Sequence, residues 1–65
     1  MSAQEFYKIA DLTFRSDNKL TRKAVKMVVI DGMTQTVAAK AVGVTLSAVS
    51  AAVGRFRRTA EIFSR

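Results

Sequence analysis

Apolar residues recur at intervals of three and four along most of the chain, which is the spacing of one face of an α-helix. The first such face comprises Phe6, Ile9 and Ala10. Ser2 and Glu5 fit a capping box, in which each side chain satisfies a backbone N–H at the start of a helix. The pattern therefore predicts a first helix from about residue 3 to residue 13.

A second amphipathic segment follows the polar cluster Arg15–Lys19, whose Ser, Asp and Asn side chains are suited to cap a helix. Its predicted apolar face comprises Leu20, Ala24, Met27 and Val28, and its basic residues Arg22, Lys23 and Lys26 lie elsewhere on the helix. Asp31–Gly32 is predicted to end this helix, because glycine has no Cβ to clash in the left-handed conformation that follows a helix end.

Two further helices are predicted from caps and a glycine. Thr34 is suited to start a third helix, and Gly43 to end it. Thr45 is suited to start a fourth, which runs through Arg58 or to the C-terminus. Without proline, repeats or a linker-like segment, residues 1–65 are predicted to form one all-α domain, a small bundle of about four helices.

The amino-acid composition excludes several classes of function. The chain has no cysteine and no histidine, so disulfides and the common zinc sites are excluded. No group that titrates near neutrality is present for acid–base catalysis, and the acids are scattered near turns and helix ends, where they fit capping roles. The scattered acids are Glu5, Asp11, Asp17, Asp31 and Glu61. We predict no enzyme activity, no catalytic residue, no metal site, no cofactor and no small-molecule ligand.

Charge indicates the partner. Eleven Lys and Arg against five Asp and Glu give a net charge of +6, which favours an anionic partner such as nucleic acid or a membrane surface. The longest apolar run, Met27–Ile30, is far too short to span a bilayer, and the N-terminal residues do not have the order of a secretory signal. A cytoplasmic protein is predicted.

The stretch Gln35–Arg55 carries the main functional hypothesis. Residues 41–54, fourteen in all, have no charged side chain, and Arg55, Arg57 and Arg58 follow them closely. Two short helices with a tight turn between them match a helix-turn-helix motif, with Ala39 at the closest approach of the helices and Gly43 in the turn. The predicted inward positions are Ala38, Val42, Val44, Val49 and Ala52. The alternative is an ordinary αα-hairpin.

In such a motif the second helix lies in the major groove of DNA, where small polar groups reach base edges and cations reach phosphates. The residues predicted to read bases are Thr45, Leu46, Ser47, Ser50, Ala51 and Arg55. The residues predicted to contact phosphates are Arg22, Gln35, Lys40, Arg57 and Arg58. Ser47 and Ser50 equally fit ordinary exposed surface positions, and Arg55 fits either a guanine edge or a phosphate.

The stretch Val28–Arg55 resembles the DNA-binding domain of the KorA/TrfB family of small plasmid-encoded transcriptional repressors. The shared pattern is Asp31-Gly32, Gln35, Gly43, Thr45, Ala48-Val49-Ser50, Ala52-Val53 and Arg55, and the first helix, with Gln4, Phe6 and Ile9, is also similar. The resemblance implies a homodimer that binds palindromic operators in plasmid promoters and represses genes for replication, maintenance or transfer.

Two departures from the family pattern limit what the resemblance implies. Leu46 and Ala51 stand where known members carry long polar or basic residues, so the operator sequence cannot be transferred. Members also continue into a separate dimerisation segment, whereas this sequence ends at Arg65. A dimer is expected to use another surface, for which Ile62 and Phe63 are candidates, or else the protein acts as a monomer. The favoured alternative for these two is packing onto the first helix.

Other functions fit the same composition. The Asp31–Ser50 region is also similar to the promoter-reading region of sigma factors and to fimbrial adhesin regulators, so a DNA-binding activator is an alternative. A basic helical surface also suits a protein-interaction module, such as an antitoxin half or an accessory factor. A membrane-surface peptide is a third alternative, since Arg22, Lys23 and Lys26 lie beside apolar Val25, Val28 and Val29, although the lack of Trp disfavours it.

Overall fold

The computed structural model of the protein describes residues 1–14 and 19–64, and the regular elements in these ranges are all α-helices. They are α1 (Ala3–Thr13), α2 (Lys19–Val29), α3 (Gln35–Val42) and α4 (Leu46–Phe63). The predicted all-α bundle of about four helices is confirmed. The cluster predicted to cap α2 lies, except for Lys19, outside the described residues.

Hydroxyl side chains start three of the helices. Ser2, Thr34 and Thr45 each accept a hydrogen bond from the backbone N–H three residues further on, at 3.1–3.2 Å. Such a bond satisfies one of the backbone donors that a helix start leaves without an intrahelical partner. These three caps are as predicted, and because they depend on residues three apart, they could be identified without knowing the fold.

Left-handed glycines follow α2 and α3. Gly32 has φ +74° and Gly43 has φ +85°. The regular part of α2 ends at Val29, slightly before the predicted stop at Asp31–Gly32. After α3, the N–H groups of Gly43 and Val44 both donate to the Ala39 carbonyl, at 2.8 and 3.0 Å, so the chain leaves the helix in a closed turn.

Side chains from all four helices form one apolar core. The rings of Phe6 and Phe14 stack on Phe56, with centroid separations of 5.1 and 6.4 Å, and so join α1 to α4. Within the described residues no buried side chain is polar or charged. The core comprises Phe6, Ile9, Ala10, Phe14, Ala24, Val25, Ala38, Ala39, Val49, Ala52, Val53 and Phe56. Of the five predicted inward positions, Ala38, Val49 and Ala52 are buried, and Val42 and Val44 are half-buried.

Two predictions about helix faces were wrong. Leu20, placed on the apolar face of α2, is 47% exposed, whereas Val25 is fully buried. The segment has apolar residues on several sides, so the rotation of α2 about its axis is set by its contacts with α3 and α4. Ile62 and Phe63, favoured to pack on α1, are 70% and 46% exposed because Phe56 already occupies the place beside Phe6.

Helices α3 and α4 form a sharp corner. The chain changes direction by 118° between them across the three residues Gly43–Thr45. Helix α2 packs against both arms of this corner, and α1 packs on α4. In the described part of the chain, no single helix has the length and apolar character needed to cross a membrane.

Candidate nucleic-acid interface

The solvent-facing side of α4 is a row of four residues that we call the outer row: Ser47, Ala51, Gly54 and Arg58. Their spacing of four, three and four places them on one face of the helix, and all four are exposed. The opposite face, around Val49 and Phe56, lies in the core. The outer row thus consists of small residues along three turns of the helix, followed by the cationic side chain of Arg58 at its end.

Thr45 and Leu46 lie at the start of α4. The Thr45 Oγ1 accepts from the Ala48 N–H at 3.1 Å, so this oxygen already serves the helix, and its hydroxyl hydrogen remains a donor. The Leu46 side chain is 48% exposed, which is unusual for a large apolar group at a helix start and makes it an apolar contact point beside the outer row.

A side-chain hydrogen bond connects the two arms of the corner. The Ser50 hydroxyl donates to Oε1 of Gln35, the first residue of α3. With its carbonyl oxygen held by Ser50, the Gln35 amide keeps two N–H donors for an external acceptor. The structure therefore brings together these two predicted site residues, although they are fifteen positions apart.

The arginines of α4 are distributed differently from the prediction. Arg55 was placed in line with the base-reading residues and Arg58 off that line. Instead Arg58 ends the outer row, since it follows Gly54 by four residues. The Arg55 guanidinium lies over the Phe14 ring, 5.5 Å from its centroid, on the flank of α4 that faces α1.

Arg57 lies on the other flank of α4, at an open groove between α2 and α4 that measures about 410 Å³. The groove is lined by Met1, Val28, Val29, Phe56, Arg57, Ala60, Glu61 and Ser64. Lys40 is exposed on α3. These predicted phosphate contacts therefore surround the corner on different sides.

Arg22 is separated from the other predicted site residues. It forms an ion pair with Asp11 across the gap between α1 and α2. It also lines a cleft of about 230 Å³ with Phe6, Tyr7, Lys19, Lys23 and Lys26. This cleft was not predicted, although the sequence contains a signal for it: Lys19, Lys23 and Lys26 are spaced by four and three residues and so share one helix face.

Lys26 and Tyr7 connect α2 to α1 a second time. The Lys26 Nζ donates to the Tyr7 hydroxyl at 3.1 Å and lies 5.4 Å from the centroid of the ring. This hydrogen bond, together with the charge of the ionised phenol, raises the pKa of the Lys26 ammonium above its usual value. The contact therefore favours the charged form of the Lys26 ammonium.

No known family model, curated protein or solved structure matches this chain. The resemblance to the KorA/TrfB repressors remains a prediction from the residues that carry it.

Proposed function

We propose that α3, the Gly43–Thr45 turn and α4 form a helix-turn-helix motif that binds duplex DNA with sequence preference. The observation that carries the proposal is the corner itself. Its 118° change of direction across three residues, with a left-handed glycine in the turn, lies within the range of such motifs, whose helices meet at about 90–120°. An αα-hairpin with antiparallel helices turns the chain much further.

In this proposal the first turns of α4 enter the major groove. Ser47 donates to or accepts from base edges, and Leu46 and Ala51 contact thymine methyl groups. Ser50 accepts from a base edge, because its hydroxyl hydrogen is donated to Gln35. Thr45, at the cap, has its hydroxyl hydrogen available for an acceptor on DNA. The narrow outer row supports close approach, because large side chains there would hold the helix away from the base edges.

Phosphate contacts supply most of the affinity. Gln35, at the N-terminus of α3, offers its amide donors beside the exposed backbone N–H groups of the first turn. In this arrangement Lys40 and Arg58 contact the two strands that border the major groove, whereas Arg57 lies on the flank of α4 beside α2. We keep Arg55 as a candidate for base contact and remove Arg22 from this surface, because it lies in the cleft between α1 and α2.

The biological role that fits this interface is repression of transcription, by a plasmid-encoded protein in the cytoplasm that excludes RNA polymerase from promoters. Binding, with no catalytic step, is the proposed activity. Palindromic operators require two copies, whose recognition helices are separated by about 34 Å along one face of the duplex.

We propose the groove between α2 and α4, together with the exposed side chain of Phe63 at the end of α4, as the surface where a second copy docks. Its apolar lining includes Val28 and Val29, and Phe63 is exposed at the end of α4. Sedimentation of Phe63→Ser and of the wild type measures this directly: we expect the variant to be monomeric and the wild type dimeric on operator DNA. One wild-type chain per operator would contradict the dimer.

The test of DNA binding is a titration against a duplex from upstream of the protein's own gene and against a shuffled duplex, at low and at physiological salt. We expect a preference for the upstream duplex that persists at the higher salt. Equal binding with a steep salt dependence would mean phosphate contact alone and favour the protein-interaction module. A reporter assay distinguishes repressor from activator, since transcription that rises with added protein would contradict repression.

A further inference from the structure

The cleft between α1 and α2 concentrates positive charge away from the proposed recognition helix. Four cationic side chains, Lys19, Arg22, Lys23 and Lys26, line it. One carboxylate, that of Asp11, pairs with Arg22. The rings of Phe6 and Tyr7 complete the lining, so the cations border a semi-apolar depression.

Two side-chain contacts span the cleft from α1 to α2. Arg22 reaches Asp11, and Lys26 reaches the Tyr7 hydroxyl. Lys19 and Lys23 are exposed on α2 beside these bridges. The cations of the cleft repel one another, and an anion bound there relieves that repulsion. The cleft therefore has the electrostatic character of an anion-binding site.

The cleft and the outer row face different directions. Helix α2 directs Ala24 and Val25 into the core that it shares with α4. Its lysine face lies on the other side of the helix, because Lys19 and Lys23 are rotated away from those two residues and are exposed. Helix α4 likewise turns its outer row away from the core. A straight duplex that contacts the outer row is therefore not expected to reach the cleft.

The arrangement of the lysines in a row along α2 favours a polyanionic backbone over a single small anion as the ligand of the cleft. Lys19 and Lys26 are seven positions apart on α2, with Lys23 between them, which is about 10 Å at the helical rise of ~1.5 Å per residue. One DNA strand carries a phosphate about every 3.4 Å along the duplex axis. The row thus matches about three successive phosphates. Lysine side chains that contact phosphates do not distinguish one base from another, so this contact is independent of the DNA sequence.

We propose that the α1–α2 cleft binds the phosphate backbone of a second DNA segment, so that one protein molecule holds two duplexes. The inference rests on the proposed function in one respect, that the first duplex lies on α4. The consequence is a protein that brings distant DNA sites together as well as covering one of them.

The experiment mixes donor-labelled and acceptor-labelled 16-base-pair duplexes with the full chain and measures energy transfer between them. Lys19→Gln/Lys23→Gln removes two exposed charges from the cleft. Lys40→Gln/Arg58→Gln is matched to it in charge, and because both residues are proposed to contact the first duplex, this variant should weaken the binding of a single duplex. We expect energy transfer with the wild type. We expect at least a tenfold loss of it in the cleft variant, whose operator affinity for a single duplex stays unchanged. The log–log salt slope of the second binding step should fall by about two, one for each removed phosphate contact.

Three outcomes would overturn the inference. The first is a wild type that never brings two duplexes together. The second is unchanged energy transfer in the cleft variant, which would assign the effect to a protein dimer. The third is stronger competition for the cleft from vesicles of mixed neutral and anionic phospholipid than from unlabelled duplex, which would indicate a membrane surface. Energy transfer without any operator preference contradicts the proposed function and leaves this inference standing, so the two failures are distinguishable.

Discussion

The hydroxyl of Ser50 on α4 donates a hydrogen bond of 2.5 Å to the amide oxygen of Gln35, the first residue of α3. The bond closes the open side of the α3–α4 corner, where the proposed DNA surface lies. It also orients the Gln35 amide, because with the oxygen facing Ser50 its two N–H groups are directed elsewhere. Ser50, which is assigned to base contact, thus positions the amide of Gln35, which is assigned to phosphate contact.

The first prediction is that Gln35 and Ser50 act as a pair. Ser50→Ala should lower operator affinity by about 0.5–1 kcal/mol, since it removes a hydroxyl and releases the Gln35 amide. The measurement is a double-mutant cycle with Gln35→Ala, and we expect a coupling energy of at least about 0.5 kcal/mol in DNA binding. Strictly additive losses would show that the hydrogen bond has no part in binding.

The second prediction separates two arginines of α4. Arg55→Ala should lower the free energy of unfolding by about 0.5–1 kcal/mol, because its guanidinium lies over the Phe14 ring. If Arg55 contacts a base, operator affinity should fall by about 1–3 kcal/mol, with a smaller loss on shuffled DNA. Arg58→Ala, at the end of the outer row, should weaken binding to the operator and to the shuffled duplex alike. It should also reduce the log–log salt slope of binding by about one. An equal loss on both duplexes for Arg55→Ala would make it a phosphate contact as well.

The third prediction concerns the turn. Gly43 has φ +85°, and a Cβ added there would meet no atom within 4 Å, so the cost of substitution comes from backbone conformation alone. Gly43→Ala should destabilise by about 1–2 kcal/mol, and Gly43→Val by more, because a branched residue is strongly disfavoured in this region. For a domain of this size a loss of 1 kcal/mol lowers Tm by about 4–8 °C. A wild-type Tm for Gly43→Val would refute the left-handed turn.

The fourth prediction concerns Gly54, where we expect a substitution to have the opposite effect on stability. It lies inside α4 with no atom within 4 Å of an added Cβ, and no positive φ requires glycine there. Gly54→Ala should therefore stabilise the protein by about 1 kcal/mol, the usual helix-propensity difference. On the outer row the added methyl group faces the proposed DNA surface, and we expect operator affinity to fall. Higher Tm with unchanged affinity would place the DNA elsewhere on the molecule.

Much of the local structure could be predicted from the sequence. The Ser2, Thr34 and Thr45 caps and the turn at Gly43 depend on residues within a few positions of one another, so their chemistry is complete in a short segment. The composition also excluded thiol, disulfide and imidazole chemistry, because no cysteine or histidine is present. The small, uncharged character of the stretch before Arg55 was likewise evident from the sequence.

The tertiary structure decided the rotation of each helix and the contacts between helices. Val25, and not Leu20, faces the core. Several faces of α2 carry apolar residues, and only the packing of α3 and α4 against this helix decides which face is buried. The pairs that form the α1–α2 cleft join residues far apart in the chain, as Tyr7 and Lys26 show. Helix formation is a short-range equilibrium of backbone and caps, whereas the choice of buried face minimises the exposed apolar area of the whole bundle. That choice requires all four helices at once.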